Sequence, residues 1–280
     1  MNDTATPMNE APIGVFDSGI GGLSVLRHIR TQLPRENLLY FADSGFAPYG
    51  DKSEQDIINR SFAITEFLRQ RHIKALAIPC NTATAAAIHL LREHYPSLPI
   101  VGVEPGLKPA ASLTKSGTVG VLATAGTLSS TKFQTLREQV GRATGVQVLT
   151  QACIGLADQV EKGELNSLAT AAMLRRYVKP LVDRGADTLV LGCTHYPFVQ
   201  DLISEIATRE CGKTVNIVDT GEAVARQLAR LLMRHGLLTP HDQAGTVTAF
   251  TTGSETALSS AFANLLRLHP TITRVAAQVN

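Results

Sequence analysis

The sequence has no tryptophan, and aromatic residues make up only 5% of its 280 positions. Few ring faces are available to stack on bases, and no basic run is interleaved with aromatics. Nucleic acid is therefore not an expected partner. No charge of one sign dominates: the formal net charge is +2, with 18% charged residues. The four cysteines, Cys80, Cys153, Cys193 and Cys211, form no C-x-x-C pair and no Cys/His cluster at zinc spacing. Neither a disulfide framework nor a bound metal is expected. No apolar run approaches the ~20 residues of a membrane helix, so no membrane is expected. The opening stretch, Met1 to Ala11, is polar, carries Asp3 and Glu10, and lacks an apolar h-region. It reads as a floppy tail and not as a signal peptide. Together these absences point to a soluble protein of a reducing cytoplasm.

Hydrophobic residues are plentiful, at 44%. That is ample for a buried core in one large or two smaller domains. The stretch that organises the rest is Thr188-Leu-Val-Leu-Gly-Cys-Thr-His-Tyr-Pro197, an apolar run that ends abruptly in Cys193, Thr194 and His195. A near copy lies upstream in Ala75-Leu-Ala-Ile-Pro-Cys-Asn-Thr82. Each is a buried-strand pattern that delivers a cysteine, then small hydrogen-bonding residues.

The remaining chain alternates strands and helices. Ile13-Gly-Val-Phe16 is a strand and Asp17-Ser-Gly-Ile-Gly-Gly22 its turn. The following helix has Leu23, Leu26, Ile29 and Leu33 on one face and Pro34 as its stop. The turn suits a backbone approached by an anion, or is a tight turn only. Ser24 stands where a third Rossmann glycine would be, so a dinucleotide site is not expected. Leu38–Ala42 is a strand that runs into a Pro- and Gly-bearing loop as far as Asp51. Val119-Gly-Val-Leu-Ala-Thr-Ala-Gly126 then repeats the opening pattern. Asp17 and Cys80 are 63 positions apart; Ala123 and Cys193 are 70 apart. Similar order at similar spacing predicts two related lobes. The expected fold is α/β: two similar lobes, each a mostly parallel sheet flanked by helices, with the active site in the cleft between them. The boundaries are placed at 1–103 and 215–280 for the lobe with Cys80, and at 104–214 for the lobe with Cys193. Glu104-Pro-Gly-Leu-Lys-Pro109 is read as the crossing. The stretch from Cys153 to Glu161 is read as a loop, and Gly141 as the end of a helix from about Ser129.

Ligands of doubly wound sheets sit beyond the carboxyl ends of the strands. Asp17, Ser18, Cys80, Asn81, Cys193 and Thr194 all fall there. A thiol acts as base or nucleophile only as thiolate, and needs a cation, a helix N-terminus or a proton acceptor nearby. Asn81 and Thr82 open a helix beside Cys80. His195, two positions past Cys193 on an extended backbone, would point to the other side; it need not touch the sulfur and could bridge through Glu161. Three readings stay open on the residues alone. Cysteine is among the most buried residue types, so both are candidates for plain core residues. A thiol hydrolase would use one cysteine with His195 as its base. A two-base enzyme would use both. Cys153 and Cys211 have no such context and are read as passive. No lysine sits in a recognisable pyridoxal-phosphate motif, so no cofactor is expected.

Five stretches carry a resemblance: Asp17-Ser-Gly-Ile-Gly-Gly-Leu-Ser-Val25, Pro48-Tyr-Gly50, Cys80-Asn-Thr-Ala83, Thr124-Ala-Gly-Thr127 and Gly192-Cys-Thr-His-Tyr-Pro197. In this order they resemble the signature of the glutamate racemases, within the aspartate/glutamate racemase family, over roughly Ile13 to Gly221. The resemblance implies cofactor-independent interconversion of L- and D-glutamate, for peptidoglycan, by two catalytic cysteines, Cys80 and Cys193. It implies that Asp17 assists Cys80, and that Glu161 and His195 assist Cys193. Substrate contacts are implied for Asp17, Ser18, Tyr49, Gly50, Asn81, Thr82, Thr194 and His195. The segment Ile154-Gly-Leu-Ala-Asp-Gln159 departs from the more apolar, proline-bearing one usual in the family. A homodimer is expected because most soluble oligomers are symmetric.

Overall fold

The computed structural model describes residues 7–276. In chain order its elements are β1 (Ile13–Asp17), α1 (Leu23–Gln32), β2 (Leu38–Ala42), α2 (Glu54–Arg69), β3 (Ala75–Ile78), α3 (Asn81–His94) and β4 (Ile100–Gly102). These are followed by α4 (Leu107–Leu113), β5 (Thr118–Ala123), α5 (Ala125–Ser129), α6 (Thr131–Thr144), β6 (Gln147–Ala152), α7 (Leu156–Glu161) and α8 (Leu168–Asp183). The chain ends with β7 (Thr188–Gly192), α9 (Gln200–Cys211), β8 (Asn216–Val218), α10 (Gly221–Arg234), β9 (Val247–Thr251), α11 (Glu255–Leu266) and β10 (Thr271–Arg274). Short 3₁₀ turns occur at Met8–Glu10, Tyr49–Asp51 and Tyr196–Val199.

The elements form two compact units. The first contains the residues up to Ala47, Glu54–Val103 and the residues from Gly221 onward; the second contains Pro48–Ser53 and Glu104–Thr220. The first unit holds a six-stranded sheet in the order β10-β9-β2-β1-β3-β4, and the second a four-stranded sheet in the order β6-β5-β7-β8. Every recorded strand pair is parallel. Parallel strands covered on both faces read as unbroken apolar runs, which is how β1, β3, β5 and β7 appear: all their residues are buried.

In both sheets the order of strand addition reverses in the same way. In the first, β1 lies between β2 and β3; in the second, β5 lies between β6 and β7. The connections leave to opposite sides at these points, so the loops diverge and open a crevice at the strand ends. Asp17 and Cys80 stand at the first such point. Thr124 and Cys193 stand at the second.

Several boundaries differ from the sequence reading. Strand β8 pairs with β7, Thr188 opposite Asn216, so residues 216–218 belong to the second sheet and not to the first lobe. The chain returns to the first unit only at Gly221. Pro48–Ser53, placed in the first lobe from the sequence, belongs to the second unit, where a Cβ on Gly50 would lie 3.1 Å from Thr124 Cβ. The Pro-rich crossing contains a helix, α4. Pro109 is its third residue, where no intrahelical N–H bond is needed, and Leu107 and Ala110 are fully buried in the second core with Val121, Phe133 and Val190. Gly141 lies inside α6, which ends instead at left-handed Gly145 (φ 71°). The stretch read as a loop from Cys153 contains α7. Residues 8–11 are not a loose tail: they carry a 3₁₀ turn, Ala11 is buried, and the Asn9 carbonyl accepts Lys74 Nζ at 2.6 Å. The rest of that stretch, residues 1–6, lies outside the described residues. Among the described residues no helix is long and apolar enough to cross a membrane.

Asp187 pins the start of β7 to the α4–β5 turn. It accepts the Thr114 hydroxyl at 2.5 Å, the Lys115 N–H at 2.7 Å, the Ser116 N–H at 2.8 Å and the Thr188 hydroxyl at 3.0 Å. Partial burial pushes its pKa up, but the four donors outweigh this and hold it at about 2. A depressed carboxylate pKa stabilises the fold above the unfolded value near 3.8, and that contribution is lost as pH falls through 2. Asp187→Asn is expected to lower stability at pH 7 by on the order of 1–2 kcal/mol, discounted for partial exposure. It should also flatten the loss of stability between pH 4 and 2. Urea titrations of both proteins across that range check it; parallel curves would refute the assignment.

Candidate active site

In the first unit, Asp17 ends β1 and is fully buried. Its Oδ1 accepts the Gly19 N–H at 3.0 Å and the Ser18 hydroxyl at 3.4 Å. The turn is fixed from behind by Tyr40, whose hydroxyl donates to the Gly19 carbonyl at 2.6 Å. Gly22 completes it because a Cβ there would lie 2.6 Å from Asp17 Cβ. Cys80 caps α3, and its sulfur accepts the Ala83 N–H at 3.4 Å. A helix N-terminus favours negative charge on that sulfur. The thiol also lies 3.8 Å from Ser18 Oγ. Asp17, Ser18 and Cys80 thus form one chain of polar contacts. Asn81 and Thr82 follow in the first turn of α3, both buried. Asn81 Nδ2 is a buried donor with no partner among the described residues.

In the second unit, β7 stops at Gly192 and the backbone turns at once; His195 is helical (φ −75°, ψ −31°). The sequence reading put His195 on the far side of an extended strand. The turn instead brings its Nδ1 to 3.5 Å from Cys193 Sγ. Its Nε2 lies 2.5 Å from Glu161 Oε1. Glu161 is the last residue of α7, and that helix, Leu156–Glu161, carries its carboxylate to His195. His195 is buried, and burial disfavours its charged form. The Cys193 charge and hydrogen bond, with those of Glu161, outweigh that and hold its pKa well above 6.5. A protonated imidazole beside the sulfur stabilises a thiolate. Thr194 is buried beside these groups in sequence, and Tyr49 and Gly50 sit in a 3₁₀ turn of this same unit.

Cys153 is also buried, but burial pushes its pKa far up, so it stays a thiol. Cys211, at the end of α9, is half-buried, and none of the four cysteines is in a disulfide. Among the described residues no group of three or more His, Cys, Asp or Glu is placed to hold a metal. Sequence reasoning did not anticipate the hydrogen bond of Tyr177 to the Ile154 carbonyl or that of Tyr196 to the Cys153 carbonyl. Their buried hydroxyls gave no periodic signal.

Parallel sheets with a thiol at each switch point, each thiol backed by its own polar partners, mark the candidate site of an α/β enzyme. Comparison with known proteins agrees. Residues 13–244 match the family described as Asp/Glu/Hydantoin racemase. The chain is 57% identical over 232 residues to a glutamate racemase of Methylococcus capsulatus, covering 82% of this chain and 83% of that one. Its fold is similar to that of a Bacillus anthracis glutamate racemase isoform, with TM-score 0.83, 33% identity, and 95% and 97% of the two chains covered. It is also similar to a Francisella tularensis glutamate racemase in complex with D-glutamate, with TM-score 0.82, 27% identity, and 97% and 100% covered. The chain belongs to the Asp/Glu racemase family.

Proposed function

We propose that the protein interconverts L- and D-glutamate without a cofactor, using Cys80 and Cys193 as the two bases. The observation that carries this is the matched placement of two thiols at equivalent strand ends, each with its own proton-handling partners. The α-proton of an amino acid is a very weak acid, and inversion needs one base for each face of Cα. One thiolate removes the proton while the other thiol donates one to the opposite face; the reverse reaction exchanges the roles. Ser18 and Asp17 serve the Cys80 side, and His195 with Glu161 the Cys193 side. Developing charge at the substrate needs fixed donors. The unpartnered Asn81 Nδ2 suits a substrate carboxylate, with Ser18, Thr82, Thr194, Tyr49 and Gly50 as further contacts. Glutamate as substrate follows the named activity of the relatives. In this reading the D-glutamate supplies peptidoglycan synthesis in the cytoplasm, and the working form is a homodimer.

The test is incubation with L- or D-glutamate in heavy water with no cofactor added. Racemisation by circular dichroism, with deuterium entering Cα of the product, is the expected result; aspartate should react far more slowly. A change of rotation without solvent deuterium at Cα would sink the reading. The Cys193–His195–Glu161 contacts also suit a thiol hydrolase. That alternative predicts a covalent acyl-enzyme on Cys193, no wash-in, and no need for Cys80.

A further inference from the structure

Helix α7 carries Glu161 to His195, yet it has little to aim it. It is six residues long, and only Leu156 and Val160 are buried. Left-handed glycines flank it, Gly155 before and Gly163 after, both at φ 77°. A helix this short does not hold its own direction. The Ile154 side chain ahead of it is 68% exposed and anchors nothing. Besides Leu156, Val160 and the Cys153 N–H, which donates to the Ala123 carbonyl at 2.9 Å, the segment is held by its carbonyls. Tyr177, from α8, donates its hydroxyl to the Ile154 carbonyl at 2.6 Å. Tyr196, the residue after His195, directs its hydroxyl to the Cys153 carbonyl at 3.4 Å. Both rings are buried. Burial raises the pKa of each phenol, so both remain donors. The charged and titratable groups facing them are Cys153, Cys193 and Tyr177 around Tyr196, and Cys153 and Arg176 around Tyr177. Those facing His195 are Cys193 and Glu161.

We propose that Tyr177 and Tyr196 are positioning residues: their hydroxyls fix where α7 begins and so hold Glu161 on His195. Tyr196 couples the two directly, because the same short turn that starts at His195 reaches back to Cys153, the residue that follows β6. A carboxylate that drifts from Nε2 supports the imidazolium less, and the Cys193 thiolate loses its neighbour charge. The inference rests on the proposed role of Cys193 as a base assisted by His195 and Glu161.

The experiment compares Tyr177→Phe and Tyr196→Phe, each alone and in a Glu161→Gln background, by kcat/KM for glutamate against pH. Activity that needs a protonated His195 is lost as pH rises through its pKa. Glu161→Gln lowers that pKa and should move the alkaline limb to lower pH. Each phenylalanine variant should move it the same way and reduce kcat/KM about 3- to 10-fold, as expected for one hydrogen bond. In the Glu161→Gln background the same changes should have almost no further effect, because the pairs share one route. Equal losses in both backgrounds would mean a merely structural role and overturn the proposal. A shifted Glu161→Gln profile with unshifted phenylalanine variants would overturn this proposal alone. A wild-type profile for Glu161→Gln would overturn the assisting role of Glu161 beneath it as well. Should Tyr196→Phe fail to fold, Tyr177→Phe with NMR titration of His195 decides: a lowered midpoint supports the proposal, and an unchanged one overturns it.

Discussion

Cys80→Ala and Cys193→Ala, tested singly, are each expected to lower glutamate racemisation by at least about 10³-fold, within the range for loss of a general acid or base. In the proposed two-base scheme neither thiol replaces the other, since a base on one face of Cα cannot return a proton to the opposite face. Each has its own partners: the Ala83 N–H and Ser18 for Cys80, and His195 for Cys193. The losses should therefore be similar, and the double variant should be little worse than either single one. A half-reaction separates lost chemistry from lost folding. A glutamate analogue with a leaving group on Cβ needs only proton removal, after which the electron pair at Cα forms a double bond to Cβ and expels the group. One alanine variant should still eliminate from one enantiomer of this analogue, and the other variant from its mirror image. Full activity of either variant on glutamate itself would exclude the two-base scheme. Loss confined to Cys193→Ala would favour the hydrolase reading.

The largest stability effect is expected at Lys74. Its ammonium is buried against the equally buried Glu36 and donates to the Asn9 carbonyl at 2.6 Å. Glu36 also accepts the Thr239 N–H at 2.9 Å. Burial lowers the Lys74 pKa from 10.5, while the hydrogen bond and charge of Glu36 pull it back up. Removing one partner leaves an uncompensated buried charge. Lys74→Met is therefore expected to destabilise the first unit by about 3–5 kcal/mol. Lys74→Met with Glu36→Leu should recover much of that loss, because an apolar pair replaces both charges. Urea titration of the three proteins checks this. A single variant within about 1 kcal/mol of wild type would show that water reaches the pair, as at a surface bridge.

Much of the site was legible because it lies where local patterns end. A run such as Leu189-Val-Leu191 that stops at Gly192-Cys193 announces a buried strand and a polar strand end within six residues. The same signal marked Asp17 at the end of β1 and Cys80 after β3. The buried face of α1, with Leu26 and Ile29, was readable from helical period alone. Helix α7 was not, because six residues with two buried positions complete too little of a period. Helix α4 was masked by Pro109, whose place in the first turn is harmless but whose presence reads as a break.

The alternation of strands and helices, the parallel sheets and the pair of cysteines at strand ends are written in the chain, since each follows from short-range periodicity. Three-dimensional packing was needed to show that β8 joins β7, that Tyr49 and Gly50 belong with Thr124, and that His195 touches both Cys193 and Glu161. Those facts depend on which distant segments pack together and on how the backbone turns after Gly192. Long-range packing and a two-residue change of backbone direction leave no periodic trace in the chain.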